Sequence, residues 1–526
     1  MPKRLNLFLL IAMLLIATSA QSLTADSAKA IAVGDSELRI AALRASVADA
    51  DDKTTQFIQA LVDDAVKVVA GAPVIVQDDK AVDPVSGAVS ALPDSAEGVM
   101  NNNRMRGELD VALALLKLAS PEVATRSEAV KALLGRTNES MLPLLDKAFA
   151  AEAQTELKDT LAMLRAAAMM DSPDTAKRLA AATLLGESGR AATKTLLIER
   201  LQVEPDDAVK RALKSSLTSV ESRLAWGDKL GVIFSGISLG SILLLVALGL
   251  AITYGLMGVI NMAHGELMMI GAYATYVVQG VFQKYWPGAF DWYLLASVPV
   301  AFMASAVVGA ILERCVIRFL YGRPLETLLA TWGISLVLMQ LVRTVFGAQN
   351  VGVENPSWMS GGVQVMGNLS LPYNRLVIVG FAFAVLAGVW YLIERTRLGL
   401  FVRGVTQNRP IAACMGVNTA RIDTYAFALG CGIAGLAGCA LSQVGNVGPD
   451  LGQGYIVDAF MVVVLGGVGQ LAGTVYAGLG LGILNKFLEG WTGAVLAKIA
   501  VLVFIIVFIQ KRPQGIFAMK GRSAEA

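Results

Sequence analysis

A chain of 526 residues is too long for one ordinary domain. Its composition, 55% hydrophobic and only 16% charged, is that of a membrane protein. The formal net charge of +2, with basic residues spread over loops, excludes a nucleic-acid partner. The chain is well charged and Ala-rich up to about Trp226, and Gly-rich and apolar after Lys229. Three parts follow: a signal segment 1–20, an exported domain 21–225 and a transmembrane domain 226–526.

At the N-terminus, Lys3 and Arg4 precede an apolar run from Leu5 to Ala17 and then the small residues Thr18, Ser19 and Ala20. Charged start, apolar centre and small-residue end are the parts of a secretory signal, and the run is short for a span. Cleavage is expected after Ala20. An uncleaved anchor would export the following segment equally well.

The exported part is helical by pattern: Leu109, Ala112, Leu113 and Leu116 share one face. Ser120-Pro-Glu-Val-Ala-Thr-Arg126 resembles Ser172-Pro-Asp-Thr-Ala-Lys-Arg178, and each leads to a Leu-Leu-Gly, at Gly135 and Gly186. A period of roughly 50 residues suits stacked helices of the HEAT type, and a plain helical bundle is the alternative. The stretch from Gly71 to Asn103, rich in Pro, Asp, Ser and Asn, reads as a loop. No cysteine and no catalytic constellation occurs in this part, so its expected role is contact or scaffolding.

The remainder reads as a polytopic helical membrane protein with about nine spans, an all-α architecture. They lie near 230–254, 267–281, 293–312, 327–345, 376–393, 424–443, 456–466, 474–488 and 494–509. The segments near Ile456 and Thr474 are short and Gly-interrupted, so one can be broken or re-entrant. Arg314, Arg318 and Arg323, the arginines from Arg395 to Arg421, and Lys511, Arg512, Lys520 and Arg522 place these loops and the C-terminus in the cytoplasm. Trp286, Trp292 and Trp358 fall in the opposite loops.

Three sets of residues are candidates for function. Asn261, His264 and Glu266 break the apolar pattern, and Thr331 and Ser335 lie on a later span. Polar groups at membrane depth are expensive and mark solute paths or satisfied helix breaks. Glu266 is expected to be held by His264, by backbone N–H groups or by a partner chain. The basic loop from Glu394 to Tyr425 holds a helix signal: Asn408 as N-cap, Pro410 in the first turn and Gly416 as C-cap. A capped helix from Arg409 to Met415, with Arg403, Gln407 and Ala413 nearby, is suited to receive force from a soluble partner. Finally, Gly435 and Gly438, and Gly478 and Gly482, present small faces for close helix packing, beside the small residues Cys431 and Cys439.

The run Gly466-Gly-Val-Gly-Gln-Leu-Ala-Gly-Thr474 fits the loose dinucleotide fingerprint, but no Lys precedes Thr474 and no βαβ pattern surrounds it. It reads as a tight turn between spans. No metal spacing links the four cysteines, and neither metal nor cofactor is expected. Energy for transport would come from a partner or an ion gradient.

The membrane part resembles the permease subunits of branched-chain amino acid ABC importers. The resemblance rests on Tyr254 to Glu266, on Cys414-Met-Gly-Val-Asn418, on Ala459 to Gly473, and on Arg512-Pro-Gln-Gly-Ile-Phe517. The exported extension, and Gln407-Asn408 where the amino-acid permeases usually carry an acidic pair, look more like the urea-transporter branch. The resemblance implies a second permease subunit, two cytoplasmic ATP-binding subunits and a periplasmic solute-binding protein. It implies urea or a short-chain amide as solute, with a branched-chain amino acid as the alternative. An ion-coupled secondary transporter is the alternative of another class.

Overall fold

The computed structural model describes residues 23–48, 50–77, 80–93, 95–258, 261–467, 469–512 and 515–517. The expected signal segment lies outside them. The chain divides into two compact units, with the boundary between Leu224 and Ala225.

The first unit opens with helices α1 (Ala25–Ala32), α2 (Ser36–Ala48) and α3 (Asp52–Val62). Thr24 and Asp51 cap α1 and α3 by accepting backbone N–H bonds from Ser27 and Thr54. Five short strands then follow: β1 (Val66–Val69), β2 (Ala72–Gln77), β3 (Lys80–Val82), β4 (Val89–Ala91) and β5 (Glu97–Gly98). They form an antiparallel sheet in the order β4-β3-β2-β1-β5. This corrects the expectation of a loop here, and of an all-α chain. Ala70 and Gly71 both have positive φ, which makes the tight β1–β2 hairpin that matches strand twist. Pro73 lies beyond the β2–β3 ladder, which pairs only Ile75 to Gln77, so its missing N–H costs no bond there. Val66, Ile75 and Ala81 are buried, and the short strands are drowned in sequence by the turn residues between them.

Helices resume with α4 (Asn103–Lys117), α5 (Val123–Ala132), α6 (Leu142–Ala151), α7 (Thr155–Met169), α8 (Thr175–Leu185) and α9 (Ala191–Val203). The internal repeat has a structural counterpart. Arg126 holds the buried carboxylate of Glu152, and its Nη1 donates to the carbonyls of Ser120 and Pro121. Arg178 holds Glu204 in the same way and donates to Ser172 and Pro173. Each arginine precedes its glutamate by 26 residues. Core positions recur too: Met105, Leu157 and Val209 are buried at corresponding places of the repeat, on every third helix, as are Leu109, Leu161 and Leu213. Each copy thus ties the turn before one helix to the end of the next.

Helix α10 (Asp207–Met257) carries the chain into the second unit. There follow α11 (His264–Tyr285), α12 (Tyr293–Cys315), α13 (Pro324–Phe346), the hairpin β6 (Gly362–Met366) and β7 (Leu369–Pro372), α14 (Tyr373–Arg395), α15 (Arg397–Gln407), α16 (Arg409–Cys414), α17 (Thr419–Ser442), α18 (Leu451–Gly466), α19 (Leu471–Thr492) and α20 (Ala494–Lys511). The exposed hairpin is a second departure from the all-α expectation.

Among the described residues, seven helices are long and apolar enough to cross a membrane: Asp207–Gly255, Pro287–Cys315, Pro324–Phe346, Tyr373–Arg395, Thr419–Ser442, Leu471–Thr492 and Ala494–Lys511. The expected count of about nine spans also included α11 and α18. Both are helices, but α18 has 16 residues, and α11 is diluted by His264, Glu266, Gln279, Gln283 and Lys284. Much of α11 is buried against protein, so it needs no wholly apolar circumference.

Glycines set the spacing of this bundle. A Cβ on Gly482 would stand 2.5 Å from the carbonyl oxygen of Gly236, and one on Gly240 2.8 Å from that of Gly478. Helices α10 and α19 therefore meet backbone to backbone. A Cβ on Gly435 would stand 2.5 Å from the Ala301 carbonyl oxygen, and one on Gly438 2.8 Å from the Ala272 nitrogen. The small faces seen in the sequence thus seat α17 on α11 and α12, and α19 on α10. Gly467 and Gly469 take positive φ in the turn between α18 and α19, where Gly466 packs on Gly473.

Candidate functional site

Two arrangements are candidates. The first is a buried polar cluster, a candidate solute pocket, at the start of α11. Asn261, His264 and Glu266 are each at most 2% exposed, and Thr331 and Ser335 of α13 are buried beside them. The helix begins without a side-chain cap, because Ala263 stands at the N-cap position. Asn261 Oδ1 accepts from Ala263 N at 3.0 Å, and Thr331 Oγ1 accepts from Met262 N at 3.2 Å. Ser335 Oγ donates to Glu266 Oε1 at 2.9 Å.

Four of the five residues thus bond around the start of α11, Ser335 directly to Glu266, and Asn261 and Thr331 to the backbone N–H groups of Ala263 and Met262. His264 is the exception. Its Nε2 faces the carbonyl oxygen of Val246 at 3.2 Å on α10. A carbonyl only accepts, so this nitrogen carries the proton. Of the holders expected for Glu266, which were His264, backbone N–H groups or a partner chain, His264 is corrected: it turns to Val246, and among the described residues Ser335 makes the bond. The ring is wedged between helices, and a Cβ on Gly249 would stand 3.1 Å from it.

Several polar atoms here have no partner among the described residues: Asn261 Nδ2, His264 Nδ1 and Glu266 Oε2, and further along α11 Tyr273 OH and Gln279 Oε1. Buried groups of this kind ordinarily bond to something. They offer one amide donor and several acceptors to a small polar solute or to water. Tyr273 and Gln279 were not singled out in the sequence. Their only signal is polarity within an apolar stretch, which is weak for tyrosine. The described residues hold no group of three His, Cys, Asp or Glu able to bind a metal.

The second arrangement is the basic loop. Asn408 Oδ1 accepts from Ile411 N at 3.1 Å and caps α16, Pro410 sits in its first turn, and Gly416 has φ +83° just beyond its end. Asn418 caps α17 through Arg421 N at 3.1 Å. Ala412 is buried, whereas Ala413 is exposed, with Ile411 60% and Met415 80% exposed. A small helix thus presents an apolar edge outward. Arg403 pairs with Glu394 at 3.0 Å, and Gln407 is exposed at the end of α15. Helix α15 is not among the expected elements, although Leu398, Phe401, Val402 and Val405 repeat at helical spacing. Arg409 turns inward to Asp423.

The family described as branched-chain amino acid transport system / permease component matches residues 232–510, which takes in both arrangements. The chain belongs to that family. It is a transport component and a multi-pass membrane protein. It is 28% identical over 289 residues to the high-affinity branched-chain amino acid transport system permease protein LivH of Escherichia coli K12, covering 54% of this chain and 93% of that protein. It is 27% identical over 288 residues to the corresponding permease BraD of Pseudomonas aeruginosa, covering 54% and 93%. A ribose import permease of Escherichia coli K12, RbsC, is 29% identical over 205 residues, 37% of this chain and 61% of that one. No solved structure matches.

Proposed function

We propose that this chain is the transmembrane subunit of an ABC importer, moving a small polar solute with energy from ATP hydrolysed on partner subunits. The observation that carries the reading is the family match across 232–510, which encloses the pocket at Glu266 and the capped helix α16. In this reading a second permease subunit completes the membrane unit. Two ATP-binding subunits dock on α16, and a solute-binding protein delivers the cargo. The segment before residue 225 faces the binding protein's compartment, and the loop 394–425 faces the ATPases.

The solute class named for the relatives, branched-chain amino acids, is the leading one. Urea is the second reading. Two features favour it: the first unit falls outside the family match, and Gln407-Asn408 stands in the coupling loop. The pocket suits either solute, because its unpartnered atoms supply hydrogen bonds without a cage of paired ions.

The test is uptake of labelled leucine and labelled urea in cells lacking only this chain. Loss of one uptake, sensitive to vanadate and restored by the chain, assigns the solute. Vanadate-insensitive uptake would point to an ion-coupled carrier instead. For topology, Lys177→Cys, in a background where the exposed Cys315 and Cys414 are serine, should react with an impermeant maleimide in spheroplasts. Labelling only after lysis would overturn the orientation.

A further inference from the structure

Below the coupling helix lies a buried cluster of charges that neither the solute pocket nor the exposed edge of α16 uses. Asp423, in the first turns of α17, is 1% exposed, and Glu313, near the end of α12, is 0% exposed. Two carboxylates so placed need partners. Arg409, the first residue of α16, ion-pairs with Asp423, and its guanidinium lies 4.8 Å from the centre of the Tyr321 ring. The Tyr321 hydroxyl donates to Glu313 Oε1 at 3.1 Å, and Thr424 Oγ1 donates to Glu313 Oε2 at 2.6 Å. Arg318 Nε stands 3.9 Å from the same carboxylate. One arginine of the short helix is therefore linked to α17 directly and to α12 through one aromatic ring.

The connection does not stop there. Helices α12 and α17 are seated on each other and on α11. Gly309 packs on Cys431, Gly435 on Ala301, and Ser305 Oγ donates to the Leu267 carbonyl at 2.8 Å. Leu267 adjoins Glu266 of the pocket. If α16 moved away alone, Asp423 would stay buried without its cation, an arrangement that proteins avoid. Helix α16 and the start of α17 are thus obliged to move together.

We propose that Arg409 is a positioning residue that transmits displacement of α16 through Asp423, Tyr321 and Glu313 into α12 and α17, and so to the polar pocket. This rests on the ABC-permease reading above. Arg409 acts inward, while Ile411 and Met415 meet the ATPase, so docking and transmission are carried by different residues of one short helix.

The experiment uses the assembled complex in proteoliposomes and reads uptake of labelled leucine, and in parallel of labelled urea, per ATP hydrolysed, together with co-purification of the ATP-binding subunits. Asp423→Asn and Tyr321→Leu should keep the ATP-binding subunits bound and lower uptake per ATP by at least about 5-fold, a usual size for coupling between sites. A merely structural role would lower the amount of complex and leave that ratio intact, which would overturn the inference. Should Asp423→Asn fail to accumulate, Tyr321→Leu, at a partly exposed position, decides alone. A wild-type complex with no ATP-dependent uptake would overturn the permease reading and the inference with it. A coupled wild type with equally coupled variants would overturn only the inference.

Discussion

Gly271 of α11 and Gly435 of α17 pack backbone against backbone: a Cβ on Gly271 would stand 2.6 Å from the carbonyl carbon of Gly435. Neither neighbour is a flexible side-chain tip that could swing away. Gly271→Val should therefore force the helices apart and cost about 1–3 kcal/mol or more, read as lost membrane abundance and a lowered melting temperature in detergent. Gly280→Ala on the same helix, where a Cβ meets nothing within 4 Å, should be tolerated. Equal abundance of the two variants would show that the close approach is not limiting.

The capped helix α16 gives a second prediction. Gly416→Val places a β-branched residue at φ +83° and should cost about 1–3 kcal/mol of local stability. Asn408→Ala removes the N-cap bond and should cost about 1 kcal/mol. Ala413→Arg changes only the exposed edge. All three should lower uptake while leaving the chain in the membrane, Ala413→Arg most sharply. Normal solute-stimulated ATP hydrolysis in Ala413→Arg would remove this edge from the docking surface.

Ser335 supplies the one hydrogen bond that the Glu266 carboxyl makes among the described residues. Ser335→Ala leaves a buried polar group bare and should cost about 1–3 kcal/mol, with uptake reduced further than abundance. Ser335→Thr keeps the hydroxyl and should recover most of both. His264→Ala should lower uptake more than abundance if its unpartnered Nδ1 serves the solute. If both measures fall in step for every variant, the pocket is a structural helix break.

The repeat clasp predicts a pH effect. The hydrogen bond from Arg126 holds the Glu152 carboxyl below the usual carboxylate range, helped by the Gln154 N–H and opposed by burial. A carboxyl lowered on folding stabilises above its unfolded value, about 4.3, and loses that contribution as pH falls through the lowered value. Glu152→Gln should speed amide exchange in α5 and α6 relative to wild type near neutral pH. The ratio of the two rates should approach one in acid. A ratio independent of pH would mean that the pair contributes nothing there. Leu161→Ala, at a fully buried repeat position, should cost about 2–5 kcal/mol at any pH.

Sequence alone determined the features that depend on neighbours along the chain. Asn408, Pro410 and Gly416 define a helix because capping, a fixed φ and a positive φ are local properties. The apolar segments located the long helices, since period and length need no partner. The motif at Arg126 and Arg178 announced a repeat, because the same local geometry is built twice. Tertiary structure decided what depends on groups far apart. The strands between Val66 and Gly98 are too short to carry a period, and their pairing, not their composition, makes them a sheet. His264 and Glu266 are two residues apart in the chain, yet the ring turns to Val246 and the carboxyl to Ser335, because burial leaves each group only the partner its own helix face meets. Glu313 reads as an ordinary loop charge beside Arg314. Only the fold brings Tyr321 and Thr424 to it, and puts Arg409 over Tyr321, since an ion in a dry interior is placed by whatever can neutralise it.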